Sequence, residues 1–327
     1  MHHAPLAKVT APSQSAKQQL LVCFSHLRWN FVYQRPQHLL TRAARNHHVY
    51  FVEEPIFERG GTLPRLDLRP QPSGVMVAVP VLAEGSSEAE IVEAQRQLVD
   101  DLLAGRAEEH RTFWYYTPMA MAFTEHLEPD LCIYDCMDEL SAFRFAPPAL
   151  RTLEAKLLAR ADLVFTGGQS LYEAKRGRHP NIHAFPSSID TAHFAKARRT
   201  GGRGPDDQAA LPRPRLGFFG VIDERMDLDL VGRLAELRPD WQLVMVGPVV
   251  KIDPATLPRR PNVHWLGGKT YDELPAYLAG WDLGFMPFAL NESTRYISPT
   301  KTPEFLAAGV PVVSTPITDV VRPYGEL

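Results

Sequence analysis

Cysteine is scarce in this sequence: three residues in 327, Cys23, Cys132 and Cys136. An odd count with a C-x-x-x-C spacing fits neither a disulfide framework nor a common zinc site. Cys23 and Cys132 fall inside apolar runs, where a free cysteine behaves as a small buried hydrophobe, and a reducing, cytoplasmic compartment is the default. A surplus of positive charge is also missing. The net charge is −3, so no domain-wide basic face calls for nucleic acid. The densest basic run, 196–203, lies in a glycine-rich stretch and reads as a solvated linker. No apolar run approaches the ~20 residues that a membrane-spanning helix needs. The first nineteen residues are mixed and polar, without the apolar centre of a secretory signal. Loose contact with the inner face of a membrane stays open. Finally, no G-x-G-x-x-G follows the first strand of either half, which removes the dinucleotide fingerprint of a dehydrogenase.

What is present is an ordinary globular composition, 45% hydrophobic and 22% charged, in a chain long enough for two cores. Short apolar runs alternate with helical stretches. Residues 20–24, 49–52, 113–116, 131–134, 163–165 and 183–185 read as strands buried on both faces, with helices at 88–104 and 149–159 and an N-cap at Ser170. A polar, Gly- and Pro-rich segment, 197–214, then reads as an interdomain linker. The alternation restarts with strands at 215–219, 242–246, 263–266, 283–286 and 310–314 and helices at 226–237, 271–280 and 303–308. The expected fold is α/β: two Rossmann-like domains, 1–196 and 215–327, whose parallel sheets face a cleft. Ligands bind such sheets at the carboxyl ends of the strands.

The strongest chemical signal is SPTKTPEFLAAGVPVVS at 298–314. A Ser/Thr-rich loop enters a short helix through Pro303, and Gly309 ends it before a buried strand. The free N–H groups and positive dipole at such a helix start suit a diphosphate, and Lys301 adds a full charge. Glu304 in the first turn could accept from two ribose hydroxyls, or simply favour the helix dipole. In the N-terminal half, SHLRWNFVYQRPQH at 25–38 gathers aromatic and hydrogen-bonding groups where the first strand ends. His26, Trp29, Gln34 and Arg35 are its candidates for sugar contacts, against the plainer reading of a folded loop. Asp138, in the run DCMDE at 135–139, follows a strand and either faces the cleft, orienting an acceptor, or caps a helix. Asp227-Leu-Asp229 opens an amphipathic helix and reads as capping, so no metal is expected.

The 298–314 stretch resembles glycosyltransferase family 4, the GT-B type, in its E-x-x-A-x-G-x-P-V pattern, and its loop is similar to a surface-polysaccharide subgroup. GVIDER at 220–225 resembles the family's G-R-x-x-x-x-K segment. VHWLG at 263–267, with Leu274 and Tyr277, resembles its base-binding region, and PSSIDTAHF at 186–194 its approach to the linker. The resemblance implies sugar transfer with retention from a nucleotide-sugar donor to a glycan, lipid-linked or small-molecule acceptor. Gly220, Arg225, Gly267, Thr300, Lys301 and Glu304 would then be donor contacts, with Asp138, Arg225 and Lys301 catalytic; Arg225 would meet the charge of the departing diphosphate. No cofactor is implied. Where the family has its first glutamate, eight residues before Glu304, this sequence has Tyr296, with Glu292 out of register. A nucleotide-sugar epimerase of the same fold and a non-catalytic nucleotide-sugar binder are the alternatives. Family members continue beyond the point corresponding to Leu327, so the second domain is expected to be incomplete.

Overall fold

The computed structural model describes residues 19–61, 63–106, 109–199 and 204–326. The first domain is built on a nine-stranded sheet: β1 Gln19–Phe24, β2 His48–Val52, β3 Ile56–Glu58, β4 Arg65–Pro70, β5 Met76–Ala83, β6 His110–Tyr115, β7 Leu131–Cys136, β8 Leu163–Thr166 and β9 Ile182–Ala184. Its order is β3-β5-β2-β1-β6-β7-β8-β9, with β4 antiparallel on β5 and every other pairing parallel. The second domain has β10 Arg215–Phe219, β11 Gln242–Val246, β12 Val263–Gly267, β13 Leu283–Met286 and β14 Val312–Ser314, all parallel, in the order β12-β11-β10-β13-β14. The two-sheet α/β architecture is thus the expected one. Among the described residues no helix is long and apolar enough to cross a membrane.

The strands read from the sequence fall where continuous apolar runs place them, because both faces of β1, β10 and β11 are covered. Three strands between residues 56 and 83 are not among those read from the sequence, although β5 is apolar throughout. β3 is only three residues long, and β5 contains Pro80, a residue that cannot donate to a ladder. On one side Pro80 falls in a gap, since β2 pairs with β5 only through Ala78 and β3 takes over at Val81; on the other it stands opposite Leu66 of β4.

Two expectations are corrected. Ser170 is not an N-cap. The helix Gln169–Lys175 already includes it, and the cap position, two residues earlier, is Gly168. Nor is the described part of the basic run 196–203 simply solvated. Arg198 donates from Nε to the carbonyl of Ala307 (2.8 Å) and from Nη2 to that of Leu306 (2.8 Å), satisfying the last turn of the helix Lys301–Ala308. Further on, Asp206–Ala209 forms a short helix, and Gln208 is completely buried. Its amide donates to the carbonyl of Tyr277 (2.9 Å) and accepts from the indole of Trp281 (2.9 Å). Residues 200–203 lie outside the described residues. The described part of the segment 197–214 is therefore tied to the second domain, at Gln208 by buried hydrogen bonds that water cannot replace.

Replacing Gln208 by Leu would leave the Trp281 indole N–H buried without an acceptor. The second domain should lose about 1–3 kcal/mol, read as a lowered urea midpoint of the tryptophan fluorescence transition. An unchanged midpoint would show the contact to be dispensable.

Candidate functional site

In each sheet the chain leaves a central strand on both sides. β1 is flanked by β2 and β6, β10 by β11 and β13. Such switch points open a crevice at the carboxyl ends of the strands. The loop after β1 and the loop after β10 both emerge there, and they face each other across a cavity of about 750 Å³ lined by both domains.

The second-domain wall is made of close backbone approaches. The N–H of Gly220 donates to Val246 (2.9 Å), and that of Gly247 to Gly267 (2.8 Å). Gly220 and Gly247 have φ of +133° and +151°, backbone that side chains rarely adopt. A Cβ on Gly247 would overlap the carbonyl of Gly220, and one on Gly220 would overlap the Lys301 side chain. Lys301 therefore lies flat over the strand end, its Nζ 5.8 Å and 5.6 Å from the ring centres of Phe218 and Phe219. It opens the helix Lys301–Ala308, whose N-cap, Thr300, offers no side-chain cap to the first-turn N–H groups. Burial lowers the Lys301 ammonium below its ordinary range, and Arg225 nearby adds to this.

Glu304, one turn on, has Oε2 buried with no hydrogen-bond partner. Burial pushes its carboxyl up to about 7, against the pull of Lys301. Arg225 is held in a fork by Asp223, Nε to Oδ1 at 2.9 Å and Nη2 to Oδ2 at 2.7 Å. Its guanidinium also sits 5.5 Å from the ring centre of Phe143, which belongs to the first domain. Gly220, Arg225, Thr300, Lys301 and Glu304 all border the cavity. Gly267 does not: it ends β12 at φ +71° on the exposed side of the turn, and its neighbour Gly268 reaches the cavity instead.

The first-domain wall differs more from expectation. Gln34 and Asp138 border the cavity. The Asp138 carboxyl is raised by burial, with Arg225 opposing. Asp138 is not a helix cap: Glu139 precedes the 3₁₀ turn Leu140–Ala142, and its carboxylate goes to Lys175 (2.7 Å) instead. Trp29 reaches the cavity, but its ring packs edge-on to Phe51 (5.1 Å) in the core. Arg35 also borders the cavity, but it is 7% exposed and its guanidinium is bonded within the protein: Nε to Asp135 Oδ2 at 2.9 Å, Nη1 to the carbonyl of Phe185 at 2.6 Å. It anchors the segment leading to the second domain. His26 does not border the cavity; burial holds its imidazole down at about 4, so it is neutral.

Sequence reasoning missed an aromatic cluster that closes one end of the cavity. Tyr33 of the first domain stacks on Tyr271 of the second (4.5 Å, 26°), and His193 stacks on the other side of Tyr271 (4.0 Å, 10°). The Tyr271 hydroxyl is buried without a partner. The family-like pattern pointed to Tyr277, but that ring is in the core with its hydroxyl on Asp207 (2.8 Å). Tyr296, where the family has an acid, packs on the first-domain core. Together with Glu292 it lines a separate cavity of about 330 Å³. Asp227 caps the helix Leu228–Leu237 through the N–H of Leu230 (2.8 Å). Among the described residues no group of three His, Cys, Asp or Glu side chains is placed to hold a metal ion.

Residues 213–325 match the family described as "Glycosyl transferases group 1". A Bacillus subtilis (strain 168) protein named, provisionally, the teichuronic acid biosynthesis glycosyltransferase TuaH is 28% identical over 250 residues, 69% of this chain. The chain spans 62% of the length of that relative. Among solved structures, sucrose-phosphate synthase from Thermosynechococcus elongatus superposes with a TM-score of 0.66 at 14% identity, covering 93% of this chain and 83% of that one. The Anabaena protein Alr3699/HepE, solved with UDP-glucose, gives 0.62 at 16% identity, covering 93% and 82%. Residues 213–325 thus match the group 1 glycosyl transferases, and the fold of the whole described chain is similar to that of sucrose-phosphate synthase and HepE.

Proposed function

We propose that this chain transfers a glycosyl group, with retention, from a nucleoside diphosphate sugar to a glycan, lipid-linked or small-molecule acceptor lying against the first domain. One observation carries the reading. At the switch point of the second domain, an uncapped helix start, two cations and a carboxylate oxygen without a partner converge on one cavity. Helix N–H groups with Lys301 and Arg225 form the counterpart of a diphosphate. Glu304 Oε2 is an acceptor placed one turn away, where a ribose hydroxyl would satisfy it.

In this mechanism the bond between the anomeric carbon and the diphosphate oxygen breaks, and the electron pair leaves with the phosphate. Arg225 and Lys301 stabilise that charge as it develops, already oriented by Asp223 and by the helix. The acceptor hydroxyl approaches the face the diphosphate vacates, and its proton passes to a donor phosphate oxygen. Asp138, across the cavity, orients the acceptor. No metal is required, since the two cations supply the positive charge that a metal would bring. The three cysteines are buried and unpaired, which suits a reducing compartment, and we place the reaction on the cytoplasmic side. UDP is the first probe to use, because HepE, a neighbour in fold, was solved with UDP-glucose.

Glu304→Gln should weaken UDP binding by about 1–3 kcal/mol in calorimetry. The difference should depend on pH. With its carboxyl at about 7 in the empty cleft, Glu304 is largely protonated at pH 6. Two ribose hydroxyls donate best to the ionised form, so binding favours loss of that proton. The advantage of the native residue over Gln should therefore grow from pH 6 to pH 8; a constant ratio would remove Glu304 from the ribose site.

Arg225→Ala and Lys301→Ala should each lower turnover about 100-fold while the melting temperature stays near that of the parent. A lowered melting temperature with full specific activity would make either residue structural.

A chelator should leave turnover unchanged. An absolute need for magnesium or manganese would contradict the two-cation mechanism. UDP binding with no turnover of any donor would favour the non-catalytic binder.

A further inference from the structure

The helix Gln169–Lys175 of the first domain starts at Gly168, which has no side chain with which to cap it. A helix start buried without a cap is costly. Here the cap comes from the other domain. Asp319, in the helix Thr318–Tyr324, receives the backbone N–H of Ser170 on both carboxylate oxygens, at 3.0 Å and 3.3 Å. Asp319 is only 7% exposed. One turn along, Arg322 pairs with Glu173 (2.8 Å), in solvent.

The approach is as close as atoms allow. A Cβ on Gly168 would overlap Asp319 Oδ2 and stand 2.7 Å from Ser298 Cβ. Gly167 and Ser298 both border the cleft. The same contact therefore fixes the distance between the loop Ser298–Pro299–Thr300, which leads into Lys301, and the first-domain wall at Met137. A Cβ on Gly167 would overlap the Met137 carbonyl, so that wall is equally tight. The Asp319–Ser170 hydrogen bond joins one domain to the other at this side of the cleft and can be made or broken without unfolding either.

We propose that Asp319 is a positioning residue: by capping the first-domain helix from the second domain, it latches the two domains at the separation in which Lys301 and Arg225 face Asp138. The consequence for turnover rests on the functional reading above; the latch itself does not.

The test compares Asp319→Ala, Asp319→Asn and Gly168→Val by small-angle scattering, UDP calorimetry and turnover. Alanine removes the cap. Asparagine keeps an oxygen that can accept from Ser170. Valine keeps Asp319 but wedges the contact open. The expected result is a larger radius of gyration for the Ala and Val variants and a parental one for Asn. UDP affinity should be unchanged, since the donor groups lie on the second domain. Turnover should fall about tenfold to a hundredfold in kcat rather than KM for the Ala and Val variants and be rescued by Asn. Parental scattering in both the Ala and Val variants would overturn the latch. A loss of UDP affinity in step with melting temperature would overturn it too, by making the contact merely structural. If the parent binds no UDP, the functional reading fails, while the scattering comparison still decides the latch.

Discussion

Two strand ends meet in the second domain with no side chain between them, and the site depends on that approach. Gly247 lies against the carbonyl of Gly220, and Gly220 lies under the ammonium end of Lys301. A methyl group on Gly247 would force the two strand ends apart, and one on Gly220 would displace the ammonium end of Lys301 from its place over the strand. The positive φ values at both glycines follow from the same constraint, because the chain must turn away from the sheet within one residue of the strand.

Crowding also sets the electrostatics. Lys301 and Glu304 share one helix turn and one dry environment. Burial works against the charge on each, lowering the ammonium and raising the carboxyl, while their mutual attraction works the other way. Arg225 escapes this balance because Asp223 holds it in a two-point fork and keeps it charged. The first domain contributes through space: Phe143 lies on the Arg225 guanidinium, and Lys251 reaches the same ring at 5.4 Å. The cations of one domain are thus steadied by an aromatic face of the other. Where the domains sit relative to each other is consequently part of the chemistry of the cleft.

The first-domain wall also carries structural duties that its loop sequence did not show. An arginine and a tryptophan at the end of a strand look like sugar contacts because both are amphipathic. The tertiary structure uses Arg35 to neutralise Asp135, fully buried at the end of β7, and uses Trp29 to close the core over Phe51. Tyr271 was invisible for the opposite reason. It opens the stretch read as a helix over 271–280, in a short 3₁₀ turn, and its significance comes from Tyr33 and His193, both distant in sequence. The segment from 56 to 83 escaped because strand β5 carries a proline, which falls at the gap between two partner strands on one side of β5.

What the sequence determined by itself is what depends on nearest neighbours along the chain. Continuous apolar runs bounded by polar turns named the central strands. The SPTKTPE segment named the helix start with its cation and acid, since a proline in the first turn, a glycine stop and the charges between them are all local signals. What only the tertiary structure decided is which of those groups meet. Glycines 220 and 247 acquire their role from atoms 27 and more residues away. Asp319 caps a helix 149 residues earlier in the chain, and Arg198 closes one that starts a hundred residues later. Such contacts leave no periodic trace, because hydrogen bonding and steric exclusion act over a few ångströms of space whatever the separation in sequence.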